Sequence, residues 1–325
     1  MDLEELEQMI KDAKSPREFF GKDLNTALKK FLAVCHPDRN PGNPKSKELF
    51  ELVNNWAELA QEPPIVIKSS KRSYEILRRI AIGDTSDIYT AESDDKDYLL
   101  KISRIVGGDI YLNNEKQIIS EILTEARAKT YSKYLPTLVE SFPAKDSILK
   151  RVNVYSYDSG LCPLEQVYEK YLNGVDGRHV GWMFNRMLTG LGFFHNCGYV
   201  HGAVLPSHVL INAESHGAVF CGWVHAVKIG QKLDTISIKY NDWYPPEVIS
   251  KKPVSPATDI YMAAKCVKKL LLEKDTSSKM ERFFRSCLLE SPGMRPQNAW
   301  DLLDEFKEVL EDLYGKRRFT VLTMN

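Results

Sequence analysis

Apolar positions in roughly the first sixty residues recur with helical spacing. Leu3, Leu6, Ile10 and Ala13 follow an i, i+3, i+7 pattern. Leu24, Ala27, Leu28, Phe31, Leu32 and Cys35 form a second stripe, and Leu49, Leu52, Val53, Trp56 and Ala60 a third. Each stripe is about three turns long, too short to be stable alone in water, so the three are expected to pack on one another. The pattern stops at Glu62-Pro63-Pro64, where two prolines end a helix and favour an extended connection. Beyond it the period shortens to that of strands around residues 74–80, 86–91 and 98–102. Long helical patterns then dominate, notably over 180–195, 258–272 and 297–314. A small β-rich part followed by a larger helical part is the coarse expectation.

Composition narrows the class. The chain has 325 residues, of which 43% are hydrophobic and 27% charged, which excludes a disordered, collagen-like or mucin-like chain. The 44 basic side chains balance the 44 acidic ones, which argues against bulk binding to nucleic acid or an anionic membrane. The six cysteines are scattered without a CxxC pair, the pattern of reduced thiols in a reducing compartment. No apolar run reaches the ~18 residues of a membrane span. The start, MDLEELEQMI, is acidic and amphipathic, unlike a signal peptide. A cytoplasmic location is the expectation, with no membrane and no nucleic-acid partner.

The second stripe ends at Cys35 and is followed by His36-Pro37-Asp38-Arg39-Asn40-Pro41-Gly42-Asn43-Pro44. Three prolines and a glycine cannot continue a helix, so this is a stiff exposed loop, with Ser46 expected as N-cap of the next helix. Lys22, Lys29 and Lys30 lie opposite the apolar stripe and lead towards the loop. On spacing alone this is equally a solvated turn between two helices. The stretch LKKFLAVCHPDRNPGNPKSKELFELVNNWAELA resembles a J domain, the DnaJ-type module that engages DnaK-type chaperones. The resemblance implies that His36, Pro37 and Asp38 trigger ATP hydrolysis by the chaperone. It also implies that Lys29 and Lys30 meet an acidic chaperone surface. Val34 stands where many relatives carry a further basic residue, and SPREFFGKD replaces their Tyr-rich start.

The stretch IAIGDTSDIYTA, followed by Tyr98-Leu99-Leu100-Lys101, resembles the glycine-rich loop and strand lysine of protein kinases. Gly83 is kept, while Ala81 and Ser86 replace the other two glycines. Lys101 then implies contact with nucleotide phosphates, and Glu125 the helix glutamate that pairs with it. GYVHGAVLPSHVLIN is similar to the catalytic loop, with His201 kept and Gly202 in place of its arginine. Ala203 stands at the catalytic aspartate, Leu205 at a lysine and His208 at the metal-binding asparagine. Cys221-Gly222-Trp223 stands at Asp-Phe-Gly. Glu247, Asp259 and Arg295 match architectural positions of the helical lobe.

Phosphoryl transfer needs a carboxylate to orient the attacking hydroxyl and hard oxygen ligands for Mg²⁺. Ala203 removes the first, and His208 with Cys221 removes both ligands. No metal is expected; a soft His208 and Cys221 pair holding Zn²⁺ is the alternative to simple drift. The fold expected from both resemblances is α+β. A small all-α J-like domain (1–62) and a linker (63–72) precede a bilobal kinase-like domain (73–315) with a β-rich N-lobe and helical C-lobe, then a tail (316–325) expected to be solvated, with pairing to a sheet edge or a partner as the alternative. The expected function is a co-chaperone-type adaptor, a pseudokinase that recruits a DnaK-type chaperone and binds a client, not an enzyme. It carries no obligatory cofactor, with ATP binding open and Mg²⁺ not expected. Two alternatives stand beside it: an unorthodox phosphate- or nucleotide-transferring enzyme, and a scaffold without chaperone contact. The run Tyr240, Trp243 and Tyr244 is expected as packing or as a docking surface.

Overall fold

The computed structural model describes residues 1–105, 107–144 and 150–324. By packing, the chain separates into two compact units. One comprises Met1–Gly108 and Val139–Tyr157, the other Asp109–Leu138 and Asp158–Asn325. The division by packing therefore does not follow the proline step, since the N-terminal helices and the strands share a unit.

Four helices open the first unit: α1 (Leu3–Asp12), α2 (Pro16–Phe20), α3 (Leu24–Cys35) and α4 (Pro44–Gln61). All three apolar stripes converge on one cluster, in which Leu6, Cys35 and Val53 are fully buried. The one-turn helix α2 was not expected, because five residues are too few to show a period. Ser15 caps it, Pro16 takes its first position, and Phe19 packs edge-on to Trp56 with centroids 5.4 Å apart. Ser46 is not the cap of α4. Asn43 fills that role by accepting from the Lys45 amide, and the buried Ser46 hydroxyl donates to the Cys35 carbonyl at 2.9 Å. Asp2 and Glu5 close a capping box on α1.

Strands β1 (Val66–Lys68), β2 (Ser73–Ile82), β3 (Ser86–Ser93), β4 (Lys96–Ser103), β5 (Leu138–Pro143) and β6 (Arg151–Ser156) build a six-stranded sheet in the order β1-β2-β3-β4-β6-β5. The stretch expected as a linker thus contributes the edge strand β1, with Val66 opposite Glu75 and Lys68 opposite Ser73. The Ile76 amide also donates to the Ile65 carbonyl at 2.8 Å. Side chains join the helices to the same sheet. Lys14 pairs with Asp97 at 2.8 Å, and Arg78 donates to the Lys11 carbonyl at 3.4 Å.

The second unit is mainly helical. It contains α5 (Asp109–Thr124), α6 (Ala128–Tyr131), α7 (Leu164–Lys170), α8 (Gly177–Asn196), α9 (Pro246–Ile249), α10 (Pro256–Leu270), α11 (Ser278–Cys287) and α12 (Ala299–Tyr314). Short strands β7 (Leu161–Pro163), β8 (Tyr199–Val200), β9 (Val209–Asn212), β10 (Gly217–Phe220) and β11 (Val227–Lys228) form two small antiparallel sheets. Phe184, Phe284 and Phe306 interlock in its core, with centroids 5.0–5.9 Å apart. The C-terminal segment is exposed over residues 316–321, as expected, but it is tied down at a few points. Leu322 is buried, the His216 ring bonds the Thr320 carbonyl at 2.8 Å, and Tyr171 donates to the Thr323 carbonyl at 2.6 Å.

Candidate functional sites

His36 ends α3 in extended backbone, and Pro37, Asp38 and Arg39 form one 3-10 turn. The turn holds itself. The Asp38 amide donates to the His36 Nδ1 at 3.2 Å, and the Asn40 side chain donates to the carbonyls of Val34 and His36 at 2.9 and 3.0 Å. The His36 ring stands edge-on to Phe50 of α4, 5.4 Å away. The Asp38 carboxylate is 90% exposed and 3.7 Å from the imidazole. Lys29 and Lys30 are exposed on α3, and among the described residues neither has a carboxylate in ion-pair distance. Val34 rests half-buried against the helical core instead.

In the sheet, residues 83–85 form the tight connection from β2 to β3. The Gly83 amide donates to the Ser86 carbonyl at 2.9 Å, and a Cβ at Gly83 would lie 2.7 Å from that oxygen. The glycine is therefore required for closing the hairpin. Arg104 binds the connection from behind, donating its amide to the Thr85 carbonyl at 3.1 Å and its guanidinium to the Gly83 carbonyl at 3.2 Å. Ala81 is exposed, whereas Ser86 is buried. Lys101 is buried in β4, opposite Ile88 on one side and Asn153 on the other.

In the second unit, Asp259 at the start of α10 anchors the loop after β8. Its buried carboxylate accepts the amides of His201 and Gly202, each at 2.8 Å, and meets the His195 ring at 2.9 Å. His201 is fully buried and bonds the Cys221 carbonyl at 3.0 Å; burial pushes its pKa down to about 4, against the pull of Asp259. Ala203 is fully buried. Its carbonyl bonds the His208 ring at 3.1 Å, and that ring stacks on His225 with centroids 5.7 Å apart. Gly222 has a φ of 85°, and a Cβ there would lie 2.7 Å from the His208 Nδ1. The Cys221 thiol points to the Ser207 carbonyl, 3.8 Å away. Among the described residues no three His, Cys, Asp or Glu side chains are grouped to hold a metal. Positions 203, 208 and 221 carry a methyl, an imidazole and a thiol, none of which offers the hard oxygen that Mg²⁺ prefers.

Glu247 and Arg295 form a bidentate pair at 2.7 and 3.0 Å inside the same unit. The Thr258 hydroxyl adds a third bond to the carboxylate at 3.0 Å, and Arg295 stacks on Tyr261 at 4.7 Å.

The protein kinase domain model matches residues 74–316. The chain belongs to the protein kinase family. The chain is 28% identical over 148 residues to serine/threonine-protein kinase F of Synechocystis sp., covering 43% of this chain and 29% of that one. It is 27% identical over 103 residues to STE20-related kinase adapter protein alpha of Gallus gallus, covering 28% and 26%. The aligned parts thus span under a third of these relatives. Among solved structures, the BubR1 kinase domain superposes with a TM-score of 0.61 at 15% identity, covering 84% of this chain and 95% of that one. Vaccinia related kinase 3 does so with a TM-score of 0.61 at 15% identity, covering 78% and 92%. These likenesses show the kinase fold.

Glu125, expected as the helix glutamate, does not lie within a helix. Helix α5 stops at Thr124, and Glu125 lies exposed in the bend beyond it. The buried carboxylate of α5 is Glu115, 2% exposed, on the face that carries Leu112, Ile118, Ile119 and Ile122. A lone glutamate within that apolar stripe was the signal available in the sequence. Among the described residues no helix is long and apolar enough to cross a membrane.

Proposed function

We propose that this protein is a co-chaperone-type adaptor. Residues 1–62 act as a J domain that recruits a DnaK-type chaperone and stimulates its ATPase, while the kinase domain binds a client or regulator without transferring phosphate. The observation that carries the reading is the His36-Pro37-Asp38 turn, ordered by its own caps with Asp38 90% exposed, following a helix on which Lys29 and Lys30 are exposed with no carboxylate in ion-pair distance among the described residues. A turn that serves only to reverse the chain has no need of an exposed carboxylate and an unpaired basic strip leading to it. Such a strip complements an acidic partner and raises the rate of encounter.

The silent-kinase half of the proposal rests on chemistry at three positions. Ala203 offers no carboxylate to the attacking hydroxyl. His208 and Cys221 offer no hard oxygen to a magnesium ion. Electrostatic positioning supplies most of phosphoryl-transfer catalysis, so little rate survives without it. One of the relatives is itself named an adapter protein. Joining the two modules in one chain raises the chaperone's effective concentration at whatever the kinase domain holds.

Steady-state ATP hydrolysis by a DnaK-type chaperone tests the reading. The full chain should stimulate it, and Asp38→Asn should abolish stimulation while leaving the circular dichroism spectrum unchanged. Equal stimulation by both forms would remove the J-domain reading. A second reading, an unorthodox phosphate- or nucleotide-transferring enzyme, draws support from Lys101, kept in β4, and from a relative named a kinase. Label from nucleotide incorporated into protein, and lost in Lys101→Ala, would favour it.

A further inference from the structure

Two ammonium groups on the kinase domain are held in place without an acid among the described residues to neutralise them. Lys265 and Lys269 lie one turn apart on α10. The Lys265 ammonium donates to the Asp242 carbonyl and lies 5.9 Å over Trp243 and 5.8 Å over Tyr261. The Lys269 ammonium lies 5.3 Å over both Tyr168 and Trp243. Among the described residues neither has a carboxylate within ion-pair distance, although the neighbouring Lys268 pairs with Glu281 and Lys239 with Glu165.

Fold stability alone accounts poorly for this pairing. Like charges four apart on a helix repel by a few tenths of a kcal/mol. The helix dipole favours Lys269 in the last turn, and Lys265 lies one turn earlier. The cation–π contacts hold the ammonium groups near the rings, and of the three N–H donors on each, Lys265 gives one to the Asp242 carbonyl. Lys269 is exposed and Lys265 partly so.

We propose that this surface binds an acidic segment of a partner protein in extended conformation. Side chains at i and i+4 on a helix stand about 5–6 Å apart. Alternate side chains on an extended chain stand about 6–7 Å apart, so a Glu-x-Glu segment presents carboxylates at matching separation. Single-stranded nucleic acid also seeks basic and aromatic surfaces, but it needs open ring faces for its bases. Here Tyr168 and Trp243 stack on each other at 6.2 Å and 16°, and the Lys269 ammonium covers both rings. The surface therefore presents charge, not stacking platforms. The inference deepens the adaptor reading by naming the chemistry of what the kinase domain takes.

The test is fluorescence anisotropy of a fluorescein-labelled peptide of alternating Glu and Thr, titrated with the full chain at low and physiological salt. Saturable binding is expected, weakened by salt and by about tenfold or more in the Lys265→Glu, Lys269→Glu double variant. Lys307→Glu on α12 serves as the charge control and should bind as the wild type does. The milder Lys265→Gln, Lys269→Gln pair, with its melting temperature measured alongside, separates lost contact from lost folding. Absence of saturable binding, binding by both double variants equal to that of the wild type, or tighter binding of a single-stranded oligonucleotide of equal charge would overturn the proposal. Asp38→Asn should bind the peptide unchanged, so failure of the chaperone reading and failure of this one are distinguishable.

Discussion

Gly222 seats the His208 ring against bare backbone, and both its φ of 85° and the space around it exclude a side chain. Gly222→Ala is expected to destabilise the second unit by about 1–3 kcal/mol, measured by denaturant unfolding. A larger loss is expected from Arg295→Met, which strands the Glu247 carboxylate in a site where it is 2% exposed. Breaking a buried pair from one side costs about 3–5 kcal/mol, whereas replacing both partners by apolar residues costs far less. The contrast between Arg295→Met and an Arg295→Met, Glu247→Leu double variant checks this account. Residue types were legible at this scale without a structure. Ala203, His208 and Cys221 lack the required oxygens wherever they sit, because a side chain cannot supply atoms it does not have. The exposure of Glu125 was not legible in this way, since which of several glutamates is buried depends on where α5 ends.

Helix α1 is tied to α4 through Glu7, whose carboxylate meets Lys11 at 2.6 Å and Lys45 at 2.8 Å. Hydrogen bonds from these two ammonium groups lower its pKa from 4.5 to about 2. A lowered carboxylate pKa means that the unfolded state binds more protons, so stability rises with pH across this window. The contribution is fully present above about pH 4.5 and fades as pH falls towards 2. Hydrogen exchange of the α1 amides, compared between the wild type and Glu7→Gln over that range, should show the wild type losing its advantage on acidification. The three stripes of the helical segment were legible as elements because a period of 3.6 is a local property. Helix α2 and strand β1 were not. The first is a single turn, and the second exists only by pairing with β2, a partner that local sequence does not specify.

The C-terminal segment closes against the second unit through His216, whose ring lies between Trp182 and Phe319 at 4.3 and 4.2 Å. Its backbone φ is 55°, an uncommon conformation for a residue other than glycine. Leu322→Ala is expected to lower stability by about 2 kcal/mol or more, read as a reduced melting temperature. A fully solvated tail would show no change. What the sequence by itself determined is the local periodicity, the proline step, the stiff exposed loop at His36-Pro37-Asp38 and the missing oxygens of the kinase positions. Each is a property of neighbouring residues or of side-chain composition. Only the tertiary structure decided that the supposed linker is an edge strand, that Glu115 is the buried carboxylate of α5 and that Leu322 of the tail is buried. The same holds for Lys265 and Lys269, which share Trp243. All of these depend on contacts between segments distant in the chain, and packing selects such contacts from many that the sequence alone would allow.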